Sequence, residues 1–232
     1  MRVLSVTHGP TVPGGVFDEA VEAAGQMLER WQVPAGAAPA AAGSYDAVMV
    51  FGGSMHPDQD DRFHWLGNEE EFLKDVLAER VPVFGVCLGA QMLARAAGAA
   101  VGPAGAPEVG WLDVDLTAEG AADPVLGRLP ATATVFQWHH YTFDVPAGAT
   151  ELARSAICTQ AFRLADRPAW GIQFHAEVTL AMVTAWTRED PDELPMPAAE
   201  LQAESESRIA RSNEQGHALA EAFLREATLS SR

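Results

Sequence analysis

Residues 83–91 read VFGVCLGAQ: an apolar run, then Gly-x-Cys-x-Gly, then a helix-like segment. A Gly-x-[Ser/Cys]-x-Gly stretch between a strand and a helix is the pattern of a nucleophile elbow, a tight turn with the reactive side chain at its apex. Small neighbours are needed there because the chain doubles back on itself. The flanking sequence supplies the strand at 81–86 and the helix at 88–98, the latter stopped by Gly98. Before them, YDAVMVFGG (45–53) reads as a buried strand closing on a Gly-Gly turn, and 68–80 reads as a helix with Asn68 at its N-cap. Strand, helix, strand and helix in succession imply a parallel sheet covered on both faces.

The first strand is RVLSVT (2–7), and 17–31 has apolar residues at helical spacing with acids near its start. The Ala-, Gly- and Pro-rich stretch 34–44 predicts a loop with room for a weak strand. The character changes after residue 100. Short β-like runs at 108–117, 132–138 and 150–156 are followed by a hairpin, 160–166 and 169–175, turning around Asp166, Arg167 and Pro168. A proline-rich acidic loop (188–197) precedes a helix from Ala198 to about Leu224, with Leu201, Ile209, Gly216, Leu219 and Phe223 on one stripe. With no repeat and no linker, residues 1–232 are expected to form a single domain, with a C-terminal helical extension from about 180.

Composition narrows the function. A formal net charge of -17 argues against nucleic-acid binding, which needs a basic surface. No apolar stretch reaches the ~18 residues of a membrane span, and the N-terminus carries no signal-peptide pattern. Two cysteines, Cys87 and Cys158, make neither a disulfide framework nor a zinc pattern. A reducing cytoplasm is the expected location, where Cys87 stays a free thiol.

Cys87 is therefore either a core thiol at a strand end or a nucleophile. A helix N-terminus directs free N–H groups and a positive dipole end at the sulfur, which favours the thiolate. The N–H of Leu88 is placed to form half of an oxyanion hole. Cys158, in SAICTQ, lacks this setting and reads as a packed thiol. A thiolate needs an acid/base partner, and seven histidines compete: 8, 56, 64, 139, 140, 175 and 217. His175 stands out because GIQFHAEV puts it at a strand end with Glu177 two residues on. In extended chain both point the same way, so Glu177 can orient the imidazole and stabilise its charged form. The same H-x-E opens the zinc deaminase signature, but no P-C-x-x-C follows. His139 and His140, a pair without a third ligand at suitable spacing, make a weak metal site.

GVCLGAQ followed about 85 residues later by GIQFHAEVT resembles the class I glutamine amidotransferase family, the Cys-His-Glu group. The resemblance runs over residues 1 to 185. FGGSMHPDQDD is similar to the family's Gly-Gly oxyanion strand; PEVGW and FQWHHYTFDVP are similar to segments of its free-standing, GMP-synthase-like branch. It implies a flavodoxin-like α/β fold, mainly parallel, with helices on both faces and a small added β-element. It further implies Cys87 as nucleophile on a γ-carboxamide, His175 as proton shuttle and Glu177 as its orienting carboxylate. Gly53 and Leu88 would bind the oxyanion through their N–H groups, and Gln91 would contact the substrate. The branch usually reads Q-W-H-G-D-T-F-D where this chain has QWHHYTFD, so His140 replaces a glycine and Tyr141 an acid beside the substrate's α-substituents.

The expected substrate is glutamine or another γ-glutamyl small molecule, with no cofactor. No P-loop or other nucleotide motif is present, so an ammonia-accepting synthetase would be a separate subunit. The alternatives are a stand-alone γ-glutamyl hydrolase or peptidase, and a decayed binding or regulatory module, against which the intact Cys87, His175 and Glu177 count. A rival Cys-elbow class, the intracellular-protease and glyoxalase-like group, usually has His directly after the Cys; this chain has Leu88.

Overall fold

Four apolar runs become adjacent interior strands of one sheet in the computed structural model, which describes residues 1–230. They are β1 (Arg2–Thr7), β3 (Ala47–Val50), β4 (Val83–Val86) and β9 (Ala169–Ile172), the last three buried at every residue. Strands covered on both faces carry continuous apolar runs, as these do. With β2 (Met27–Gln32) at the edge, the order β2-β1-β3-β4-β9 is parallel throughout. That order is the flavodoxin-like one, in which ligands bind at the carboxyl ends of the strands.

Side chains alternate across this sheet. Leu4, Val6, Val48 and Val50 face α2 (Trp65–Ala78) and α3 (Leu88–Ala96), meeting Leu73 and Leu93. Val3, Met49 and Phe84 face the other way, onto Phe17 of α1 (Gly15–Ala23) and Phe223 of α6 (Ala198–Ser230).

Beyond β9 the sheet continues antiparallel through β8 (Thr159–Leu164), β7 (Ala149–Arg154), β5 (Val101–Leu116) and β6 (Thr132–Phe143). The β-element expected as an addition is thus hydrogen-bonded into the main sheet, giving nine strands among the described residues. The hairpin around 166–168 is β8 turning into β9. A short α4 (Ala118–Ala122) follows β5, and α5 (Leu180–Glu189) precedes α6. A third apolar cluster, with Trp111, Phe136, Met182, Trp186 and Leu201, joins the antiparallel strands to α5 and α6.

Four expectations need correction. The single helix over 17–31 is divided: α1 ends at Ala23, Gly25 takes φ +66°, and Met27–Gln32 is β2. Gly25 supplies the left-handed turn that stops a helix. At the sheet edge most of β2 stays at least partly exposed, so its pattern does not alternate cleanly. Among the described residues, 34–44 contains no strand, only the end of one short 3-10 turn (Val33–Ala35) and the whole of another (Ala42–Ser44). The second helix starts at Trp65, not at an Asn68 cap, because the fully buried Leu66 draws the preceding turn onto the core. Finally, the β-like run expected over 132–138 extends as β6 to Phe143, paired with β5 across a bulge between Pro103 and Glu108, so His139, His140 and Tyr141 lie on the strand. The C-terminal stripe holds, with Ile209 packed on the third cluster, and α6 extends to Ser230.

Candidate active site

Cys87 stands between β4 and α3 with φ +52° and ψ −111°, a backbone conformation that L-residues other than glycine rarely adopt. Strain of this kind costs of order 1–3 kcal/mol and persists only where the surroundings impose it. Here two glycines let the flanking segments pack closely enough to hold it. A Cβ at Gly85 would lie 2.6 Å from the Gly89 carbonyl oxygen, and one at Gly89 would overlap the Val50 carbonyl. The Gly-x-Cys-x-Gly spelling is therefore the condition for α3 to fold back against β3 and β4. Cys87 N–H donates to the Ile172 carbonyl at 2.8 Å, tying the elbow to β9. Its thiol is buried and points at the Trp138 carbonyl, 3.8 Å away.

His175 follows the end of β9. Its backbone N–H donates to Phe136 of β6 at 2.8 Å, so the antiparallel half of the sheet holds it. Glu177 Oε1 lies 2.8 Å from His175 Nδ1, with both side chains nearly solvent-free. Burial alone would push the imidazole toward its neutral form. The Glu177 carboxylate and the adjacent Cys87 sulfur outweigh that and raise its pKa. With Nδ1 engaged by Glu177, Nε2 is the nitrogen left for Cys87.

The 175–178 segment is gripped from two sides. Val16 N–H donates to the Glu177 carbonyl at 3.0 Å from the start of α1, where Gly15 has φ +49°. On α6, Gly216 lies so close to the Ala176 carbonyl that a Cβ would overlap it, and Asn213 Nδ2 donates to the Val178 carbonyl at 3.3 Å.

Gly52 and Gly53 extend from β3 across the front of this pair. A Cβ at Gly52 would sit 3.0 Å from His175 Cε1 and 3.8 Å from Cys87 Cβ, so a larger residue would press on the imidazole. The N–H groups of Gly53 and Leu88 have no protein acceptor among the described residues, as expected for Leu88 at a helix start.

A cleft of about 640 Å³ opens over Cys87, lined also by Gly53, Leu88, Gln91, His140 and Tyr141. Gln91 is turned partly inward: its Nε2 donates to the Tyr141 carbonyl at 2.8 Å and lies 3.2 Å from Gln173 Oε1, so it braces β6. Tyr141 stacks on His56 with centroids 4.0 Å apart, and partial desolvation together with the nearby Asp58 charge raises its pKa. The cleft therefore contains all eight residues singled out in the sequence except Glu177, which sits behind His175. It also contains His8 and Trp186, which the sequence reading did not choose. Trp186 packs edge-on to His175 at 4.8 Å and donates to the Thr11 carbonyl.

Glu108, His139 and Cys158 bring three metal-type ligand atoms within 4.8 Å of one another behind β6. One oxygen of Glu108 already accepts from Gln160 Nε2 at 2.8 Å, Ser155 Oγ at 3.1 Å and Cys158 Sγ at 3.4 Å. The group is a hydrogen-bond knot centred on a carboxylate, and Cys158 is half-buried within it, not a core residue. Burial pushes the Cys158 thiol up to about 11.

The glutamine amidotransferase class-I family profile matches residues 19–185, most of the chain. The chain belongs to this family. A glutamine amidotransferase-like protein of Salmonella typhimurium, YfeJ, is 29% identical over 84% of this chain and 83% of its own length. The glutamine-hydrolyzing GMP synthase subunit of Thermoplasma acidophilum is 33% identical over 57% of this chain and 64% of its own. Among solved structures, a glutamine amidotransferase from Thermotoga maritima superposes with a TM-score of 0.86 at 27% identity, covering 96% of this chain and 97% of that one. One from Methylobacillus flagellatus gives 0.86 at 26%, over 97% and 94%. Among the described residues of this amidotransferase-family chain, no helix is long and apolar enough to cross a membrane.

Proposed function

We propose that this protein hydrolyses the γ-carboxamide of glutamine or of a γ-glutamyl compound through a Cys87 thioester. The observation that carries this reading is the strained Cys87 at the start of α3 beside a buried His175 whose Nδ1 is held by Glu177. The Cys87 thiolate adds to the amide carbon, and the oxyanion that forms is held by the N–H groups of Gly53 and Leu88. Each such donor is typically worth about 3 kcal/mol. His175 Nε2–H protonates the departing amine, and the C–N bond breaks to leave a γ-glutamyl thioester. Water then gives a proton to the same nitrogen as it attacks, and collapse of the adduct releases glutamate and restores the Cys87 thiolate beside the protonated His175. Purified protein should release glutamate from such a substrate, and Cys87→Ser should not. Equal rates for the two would overturn the proposal.

The relatives that are GMP synthase subunits of the glutamine-hydrolyzing kind support a role as the hydrolysing partner of a separate synthetase that accepts ammonia. A second reading, a stand-alone γ-glutamyl hydrolase, draws support from the mouth of the cleft. Glu189, Asp190 and Glu193 line it without any Lys or Arg among the described lining residues. Asp190 is held above the usual carboxylate range by burial and by the charges of Glu193 and Glu189. A leaving amine carrying its own positive charge would relieve that crowding. Rates on glutamine, on the γ-glutamyl amide of a diamine and on a γ-glutamyl acidic dipeptide separate the readings. Preference for the diamine amide favours the hydrolase; activity on glutamine alone favours the synthetase-linked role.

A further inference from the structure

His8 is a buried titratable group that the mechanism above leaves idle. It follows the end of β1, beside the Gly52–Gly53 turn, and its side chain is wholly buried. Its Nδ1 lies 2.9 Å from the Gly52 carbonyl oxygen and its Nε2 lies 2.9 Å from Glu69 Oε2 on α2. Trp65, also on α2, stacks on the ring with centroids 5.6 Å apart. A carbonyl oxygen only accepts, so Nδ1 carries a hydrogen. Glu69 shares a further proton with Nε2, which fixes the ring's orientation as Glu177 fixes that of His175. Burial alone would lower the His8 pKa, but the Glu69 charge and the hydrogen bonds to Glu69 and Gly52 raise it.

The consequence lies in the peptide that His8 grips. The Gly52 carbonyl and the Gly53 N–H belong to one planar unit and point in opposite directions. Space around both residues is short: a Cβ at Gly52 would crowd His175 Cε1 at 3.0 Å, and one at Gly53 would lie 2.8 Å from His8 Cβ and 2.9 Å from Leu88 Cδ2. Glycine gives up conformational bias in exchange for space, so a Gly-Gly peptide is free to rotate unless something holds it. We infer that His8, braced by Glu69, is a positioning residue that locks the Gly52–Gly53 peptide with its N–H turned toward the reacting carbonyl. The inference rests on the proposed hydrolysis in so far as it assigns that N–H to the oxyanion.

Three variants test it. His8→Leu removes the donor. His8→Leu with Glu69→Leu removes it together with the buried partner charge, which keeps the fold testable. His8→Asn retains a donor near the Nδ1 position. Steady-state kinetics on the wild type's best γ-glutamyl substrate should show kcat lowered by about 10²-fold in both Leu variants, the loss typical of an oxyanion donor, with KM within about threefold. His8→Asn should recover most of that loss. Alkylation of Cys87 by iodoacetamide, which develops no oxyanion, should proceed at wild-type rate in all three. Unchanged kcat in the Leu variants, equal loss in His8→Asn, or alkylation falling alongside kcat would overturn the inference. An NMR coupling across the hydrogen bond, from His8 Nδ1 to the Gly52 carbonyl carbon, tests the grip without activity. Its absence overturns the inference. Its presence in a wild-type protein that hydrolyses no γ-glutamyl compound supports the grip and sinks the proposed reaction instead.

Discussion

Gly216→Ala puts one methyl group at the point where α6 touches the 175–178 segment. The new Cβ would overlap the Ala176 carbonyl oxygen and stand 2.7 Å from Val16 Cγ2. Neither neighbour yields easily: one is backbone, the other belongs to α1, which itself binds the Glu177 carbonyl. Restoring ordinary contact distances needs α6 and the segment to part by roughly 1 Å. Overpacking of this kind costs about 1–3 kcal/mol, which for a chain of this size lowers Tm by roughly 2–12 °C. Because Ala176 sits between His175 and Glu177, the same movement misaligns the imidazole, and a misplacement of about 1 Å costs on the order of 10²-fold in rate. Gly67→Ala in α2 is the control, since a Cβ there meets nothing within 4 Å. That change should be neutral or stabilising by about 0.5–1 kcal/mol. Thermal unfolding and kcat on the same preparations decide the matter. A Gly216→Ala protein with wild-type Tm and kcat would refute the claim that α6 holds the His175 segment by backbone contact.

Glu177→Gln should lower kcat by about 10²–10⁴-fold with a smaller change in KM, because the buried imidazolium loses its counter-charge. An unchanged kcat would remove Glu177 from its orienting role. The His175 pKa is raised in the folded state, so its pairing stabilises the fold fully below the unfolded value of about 6.5 and loses that effect as pH rises through the folded value. Wild-type stability should therefore fall over that alkaline range more than that of Glu177→Gln, as read by urea unfolding at several pH values. A glutamine-directed electrophile should label Cys87 and spare Cys158, whose thiol is protonated at neutral pH; mass spectrometry of the labelled peptide checks this. Free glutamine should be a poor substrate, with KM above about 1 mM, because Tyr141 presents an aromatic face stacked on His56 where the family resemblance implies an acid. A sub-millimolar KM that Tyr141→Asp leaves unchanged would sink that argument.

The parts of the site legible in the sequence are those whose chemistry is local. Gly85, Cys87 and Gly89 lie within one turn, and His175 and Glu177 lie two residues apart, so spacing alone carries the geometry. His8, Glu69 and Trp186 escaped because their roles exist only after β1, α2 and α5 converge; no spacing links residues 8, 69 and 186. One signal was available for His8: it follows the first strand at the carboxyl end of a parallel sheet, where such folds place ligands. In the fold, β2 was hidden because an edge strand beginning two residues after Gly25 inherits the apolar rhythm of the preceding helix. The early part of β5, VGPAGAP, was unreadable because Gly and Pro suppress strand preference, which pairing of Val101, Gly102 and Pro103 with β6 overrides.

The grip of α1 and α6 on residues 175–178 also has a bearing on how the protein is made. Cys87 and its elbow are made early, but the backbone contacts that hold His175 in place come partly from Asn213 and Gly216, far later in the chain. A nascent chain therefore carries its thiol for the length of nearly 130 further residues before the imidazole is held beside it. The Cys87–His175 pair is thus held only once α6 has been made, and a chain lacking α6 would keep the cysteine without the contacts that place the imidazole.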